Sequence, residues 1–233
     1  MFKVVIIKCI CQLSMQKLNK KYVAKKHIKK ISSYSKEKGA KMTDKQKLTK
    51  EQLYLLAMNA LLTEANDQLH DTLYGESDAE QAKEIAANTL EEFWEITDKN
   101  SLMEIINWLH SGGHRMNFTT DIADGTISDP EEWPEHIDAW DFCRVMSLAR
   151  WGAAAGYITD EEAWTQMRIS ANYLETKFSS FKELGENYIH GYEYWFDEAV
   201  NDDIDEAFDW LLDEENKESP WINIEWGYYS KNK

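Results

Sequence analysis

Residues 137–156 read IDAWDFCRVMSLARWGAAAG, and what this stretch can be decides how the rest of the chain is arranged. Ala and larger apolar residues fall on nearly every face of a helix over about 136–155, and a helix apolar all round is one that other helices surround. Gly156 suits a left-handed stop, and Thr159 caps the next helix. The polar residues are conspicuous in this setting. Asp141 and Arg144, three apart, can meet on one face, while Arg150 lies on the side opposite Asp141. A charge on such a helix must be paired or must border a water-filled cleft.

Helix-start signals recur on both sides of this segment. Thr49 with Gln52, Ser77 with Glu80, Ser101 with Glu104, Thr159 with Glu162 and Ser180 with Glu183 fit the capping box. Each precedes apolar residues at helical spacing. The first set runs Leu53, Leu56, Ala57, Ala60, Leu61, Ala65, Leu69 and Leu73; the second is Ala82, Ile85, Ala86, Leu90 and Phe93. A third, shorter set is Leu102, Ile105, Ile106 and Leu109. Beyond the central helix come Ala163 to Leu174, then Phe181 to Phe196, then an acidic helix with Ile204, Phe208 and Leu211. The only strand-like stretch is WINIEW, residues 221–226. The expected fold is all-α: a single domain of about seven helices around the central apolar one, spanning 42–233.

Composition agrees. Of 233 residues 43% are hydrophobic and 12% aromatic, enough for a core, while three Pro and ten Gly leave few breaks. From residue 42 on Cys143 is the only cysteine, so the body holds no internal disulfide, as suits a reducing compartment. The net charge of −16 is uneven: residues 1–41 carry 12 Lys against one Glu, which leaves −27 on the remainder. An acidic body repels phosphate backbones, so nucleic-acid binding through it is not expected.

The basic leader, residues 1–41, has three readings. As a signal peptide or anchor it fails, because Lys8 breaks the apolar run Val4 to Ile7, which is far too short to span a bilayer. It can be a basic arm. The preferred expectation is a misassigned start, since KEKGAKM (36–42) back-translates to a purine-rich ribosome-binding tract just before Met42.

Residues 107–118, NWLHSGGHRMNF, set His110 and His114 four apart. On one helix that spacing can hold a metal. Here Gly112 and Gly113 end the helix between them and no HExxH glutamate is present, so no metal or cofactor is expected. His114 and Arg115 are instead expected to reach the charged face of the central helix. The aromatic run YIHGYEYWF (188–196) reads as core, and the acidic run after Phe196 as a solvated face that can meet a basic partner.

Four blocks resemble a bacterial family catalogued as domain of unknown function 1266, the YbeU/YbeR-like proteins. They are TLEEFWEITDKNSLMEIINWLHSGGHRMNF (89–118), AWDFCRVMSLARWGAAAGYITDEEAW (139–164), FSSFKELGENYIHGYEYWF (178–196) and SPWINIEW (219–226). The resemblance runs over about 48–226. It implies a mostly helical, cytoplasmic bacterial protein and brings no activity. Phe181 stands where such proteins tend to have a Trp, which keeps the packing and loses an indole N–H.

Two functional classes fit this sequence. The first is a cytoplasmic protein-binding domain of interaction or immunity type. The alternative is an enzyme acting on an anionic small molecule in a cleft near His114, Arg115, Asp141 and Arg144. The candidate ligand or partner site is therefore His114, Arg115, Asp141, Arg144 and Arg150, and a solvent-reaching pocket shared by the first four favours the enzyme.

Overall fold

Every residue from Asp138 to Ala155 is buried, in an 18-residue helix enclosed by its neighbours as an all-round apolar pattern requires. The computed structural model describes residues 47–196 and 201–231; the leader 1–41 lies outside the described residues. In chain order the helices are α1 (Lys50–Met58), α2 (Ala60–Ala65), α3 (Ala79–Trp94), α4 (Lys99–Ser111), α5 (Arg115–Ala123), α6 (Asp138–Ala155), α7 (Asp160–Leu174), α8 (Phe181–Phe196) and α9 (Asp202–Leu212). Two helical turns come after them, α10 (Pro220–Asn223) and α11 (Tyr228–Lys231). Helices α3, α4, α7 and α8 pack around α6, while α9 lies against α2. Among the described residues there is no strand, and no helix is long and apolar enough to cross a membrane.

The nine helices of six or more residues among the described residues exceed the expected seven for two reasons. Asn59 splits the first helix: its side chain donates to Ser147 Oγ on α6 at 3.1 Å, and its backbone leaves helical geometry at φ −102°, ψ 11°. Arg115–Ala123 forms a helix that the sequence pattern did not mark. The first helix also stops at Ala65 rather than reaching Leu73. Residues 66–78 are irregular: Asp67 is left-handed at φ 57°, and beyond it the carbonyls of Leu69, Thr72 and Leu73 turn to Arg150.

Local chemistry sets the helix ends. Thr49 and Thr159 make complete capping boxes with Gln52 and Glu162. The start expected at Ser77 belongs to Asp78, which accepts from Gln81 N–H. Ser101 is not an N-cap but the third residue of a box opened by Asp98. Ser180 does accept from Glu183 N–H at 3.1 Å, yet the Glu183 carboxylate reaches Ser179 rather than closing the box. WINIEW is not a strand. Pro220 opens the short turn α10, Ser219 caps it, and Trp221 Nε1 donates to Ala57 O at 2.8 Å. With no partner strand among the described residues, the backbone closes on itself.

Aromatic rings fill the spaces between layers, and two glycines of α8 admit them. A Cβ on Gly185 would stand 2.7 Å from Phe208 and 2.8 Å from Trp221. On Gly191 it would stand 2.3 Å from Trp140 Cβ, an atom tied to the α6 backbone. Gly191→Ala gains up to about 1 kcal/mol of helix propensity and costs about 1–3 kcal/mol of overpacking. The variant should therefore lose roughly 1–2 kcal/mol in urea denaturation; equal or greater stability would show that α6 and α8 can move apart.

Candidate functional site

The turn between α4 and α5 is held by a carboxylate from α6. Gly112 and Gly113 end α4, both donating to Trp108 O, and Gly113 takes the left-handed conformation at φ 57°. A Cβ there would lie 2.2 Å from Asp141 Oδ2, so the close approach of Asp141 also demands glycine. Helix α5 has no side-chain cap of its own. Asp141 supplies one from across the core: Oδ1 accepts from His114 N–H at 3.1 Å and Oδ2 from Arg115 N–H at 3.0 Å.

The same carboxylate takes two side-chain donors. His114 Nδ1 lies 2.9 Å from Oδ1 and Arg115 Nη1 3.1 Å from Oδ2. A carboxylate only accepts, so the shared proton sits on His114 Nδ1. Arg115 also donates to Leu109 O and, at 2.7 Å, to His110 O, which closes the last turn of α4. One residue pair thus caps two helices, Asp141 the start of α5 and Arg115 the end of α4.

Aromatic rings wall this cluster. The His114 ring meets Trp195 and Trp108 edge-on, with centroids 4.1 and 4.8 Å apart. The Arg144 guanidinium lies between Trp94 and Trp140, 4.5 and 4.4 Å from their centroids, with Nη1 3.2 Å from His114 Nδ1. Burial alone would raise the Asp141 pKa; the hydrogen bond and charge of His114, Arg115 N–H and the charge of Arg144 overcome it and hold the carboxyl below its ordinary value.

Of the five candidates, His114, Arg115, Asp141 and Arg144 come together, and Arg150 does not. It points the other way and gathers four neutral oxygens: Leu73 O at 3.0 Å, Thr72 O at 3.2 Å, Leu69 O at 3.3 Å and Thr63 Oγ1. Among the described residues no carboxylate lies within ion-pair distance of it, and burial lowers its pKa to about 10. The two histidines part as the glycine stop implies, His110 facing Ser170 Oγ at 3.1 Å and His114 facing Asp141.

The convergence does not make a solvent-reaching pocket. His114 is 1% exposed and Asp141 0%, and Arg115 donates to two backbone carbonyls and to Asp141. A small cavity elsewhere, lined by Met58, Asn59, Cys143, Tyr188 and Trp221 among others, has room for about one water molecule. No group of three His, Cys, Asp or Glu among the described residues is arranged to hold a metal ion. Sequence reasoning missed Asp138, a fourth charge on α6, with its partners Tyr173, His136 and Lys177. The rule that flagged Asp141 applied to it equally, since it lies one turn earlier on the same buried helix.

Asp141→Asn would keep the shape and leave buried cations unanswered, so it should lower stability at pH 7 by about 3–5 kcal/mol. Because the folded pKa of Asp141 is depressed, its contribution is complete above the ordinary carboxylate range and is lost as pH falls through the folded value. Acid titration of unfolding should show this limb in the parent chain and not in the variant. A variant within about 0.5 kcal/mol of the parent would mean that the clamp is dispensable.

Comparison with known proteins extends this picture over part of the chain. No curated protein and no solved structure matches it. Residues 130–226, from the approach to α6 through α10, match the model of a family described as protein of unknown function (DUF1266); Asp141, Arg144 and Arg150 fall inside the match, His114 and Arg115 before it.

Proposed function

We infer that this is a non-enzymatic protein-binding domain of the bacterial cytoplasm, of interaction or immunity type, which meets a basic partner through its acidic surface. The observation that carries the reading is the division of charge between inside and outside. Of the side chains that catalysis would need, His114, Asp141 and Arg144 are buried and Arg115 is partly so, and Asp141 engages both His114 and Arg115. Around α9, what reaches water is mostly acidic. Ile204, Ala207 and Leu211 anchor α9 to the core, while Asp202, Asp205, Glu206 and Asp209 face outward. Exposed Asp213, Glu214, Glu215 and Glu218 continue the surface, and Lys217 is the only cation between residues 201 and 218. Such a surface steers a cationic partner and speeds encounter.

A reducing compartment is supported by Cys143, the body's single cysteine, which is buried with its thiol pushed up to about 12. The alternative, an enzyme acting on an anionic small molecule at His114, Arg115, Asp141 and Arg144, needs an opening that would break the Asp141 cap to admit substrate.

Affinity capture with the full chain from its native cytoplasm should recover a basic protein at a fixed ratio and lose it as salt rises. Neutralising Asp202, Asp205 and Asp209 to Asn and Glu206 to Gln should slow association roughly tenfold. If no partner holds a fixed ratio, or the neutralised chain binds as fast as the parent, the reading fails.

A further inference from the structure

Two long stretches of this acidic chain hold no carboxylate. Between Glu104 and Asp121, and again between Glu162 and Glu175, no Asp or Glu occurs. The fold lays the two side by side. Lys99 pairs with Glu162 at one end of α4, and His110 Nε2 meets Ser170 Oγ at 3.1 Å near the other, so α4 and α7 run parallel along α6. Met116 folds back at the end of the same seam, where a Cβ on Gly112 would stand 3.0 Å from its sulfur.

What these stretches expose is neutral, and its polar groups are already satisfied. Met116 is 64% exposed and Ile169 48%, the two most exposed large apolar side chains among the described residues. Around them, exposed hydroxyls and amides turn back to their own helices. Ser111 Oγ donates to Trp108 O at 3.2 Å, Thr119 Oγ1 to Arg115 O at 3.0 Å, Thr165 Oγ1 to Glu161 O at 2.8 Å and Asn172 Nδ2 to Arg168 O at 2.9 Å. Covering such groups costs little, since these hydrogen bonds survive the loss of water. The charges at the borders are answered as well: Arg115 pairs with Asp141, Arg168 with Glu51 and Glu161, and Lys99 with Glu162.

We propose that the α4–α7 face, with Met116 at its end, is the contact of a homodimer, in which it meets the same face of a second copy about a two-fold axis. Charge selects the occupant. Two chains of net charge −16 repel wherever carboxylates meet, and residues 105–120 and 163–174 bring none to the contact. A basic partner gains nothing from a face without carboxylates. The 15 residues of α7 give a seam about 20 Å long, and two neighbouring helices make the face about as wide. That area is at the low end of specific interfaces, so the dimer is readily reversible. The contact is independent of the protein-binding reading, which rests on carboxylates of α9, a helix packed on α2 rather than on α4 or α7.

The test is sedimentation equilibrium of the full chain over a range of concentrations at low and at moderate salt. The expected result is a reversible dimer that tightens as salt screens the repulsion between two acidic copies. Met116→Glu and Ile169→Glu set like charges against each other across the contact and should each weaken the dimer roughly tenfold. Both side chains are exposed, so the urea midpoint of each variant should match that of the parent. Ile222→Glu, which adds the same charge at another exposed apolar side chain, should leave the dimer unchanged. The proposal is overturned if the chain is a monomer throughout, even one that captures an unlike protein. It is also overturned if salt weakens the association, if Met116→Glu and Ile169→Glu dimerise as the parent does, or if Ile222→Glu weakens it as much as they do.

Discussion

Enclosing a helix on every side obliges each of its polar side chains to be answered from within. Helix α6 carries four charges, Asp138, Asp141, Arg144 and Arg150, all buried. Leaving any one unpaired costs several kcal/mol, comparable with the whole stability of many domains. Two of them find their answer where a neighbouring element breaks, Asp141 at the α4–α5 turn and Arg150 at the irregular segment 66–78, while Asp138 takes the side-chain hydroxyl of Tyr173 from within α7. Ser147, uncharged, meets the break at Asn59. Helix interiors have no spare backbone groups to offer, whereas breaks do. The irregular points of the fold are thus arranged around the polar residues of one helix.

Arg150 shows how tightly the two depend on each other. A guanidinium without a carboxylate is an unusual tenant of a core, and burial lowers its pKa only to about 10, so it stays charged at neutral pH. It is tolerated because Leu69, Thr72 and Leu73 turn their carbonyls to it. Those carbonyls are available because the chain is not helical there. Periodicity alone carries Leu69 and Leu73 on in the helical register of Leu61 and Ala65, but the chain turns locally at Asp67, left-handed at φ 57°, with Gln68 N–H closing on Thr63 O. Arg150, 77 residues beyond Leu73, then holds the irregular segment that follows the stop.

The same dependence on distant groups separates the features legible in the sequence from those that were not. Full burial of α6 was legible, because it needs only the composition of one segment. So was the meeting of the GHR turn with the charged face of α6, because a buried charge must be answered. The boxes at Thr49 and Thr159 were legible as purely local signals. Ser101 misled because Asp98-x-x-Ser101 and Ser101-x-x-Glu104 overlap, and both fit a helix start. Helix α5 was hidden because its cap comes from another helix, so its own sequence shows no start signal. WINIEW looked like a strand by alternation, but a strand is a property of a pair. The meeting of His114, Arg115, Asp141 and Arg144 was legible, while Arg150, named with them, stands apart and Asp138 was missed. That the cluster would be sealed was not legible, since the seal is made by Trp94, Trp108 and Trp195 from three separate helices.

The geometry also bears on the extent of the family match. The matched stretch, 130–226, contains α6 with all four of its charges. The groups that answer Asp141 and Arg150 lie before it, at residues 114–115 and 63–73, and Ser147 likewise depends on Asn59. Cut away from residues 47–129, the matched stretch would hold an anion and two cations on the face of a helix that α3 and α4 no longer cover. Its apolar residues could not repack there without first burying those charges unpaired. The match therefore marks a span of sequence similarity, while the unit that folds must reach back at least to α1.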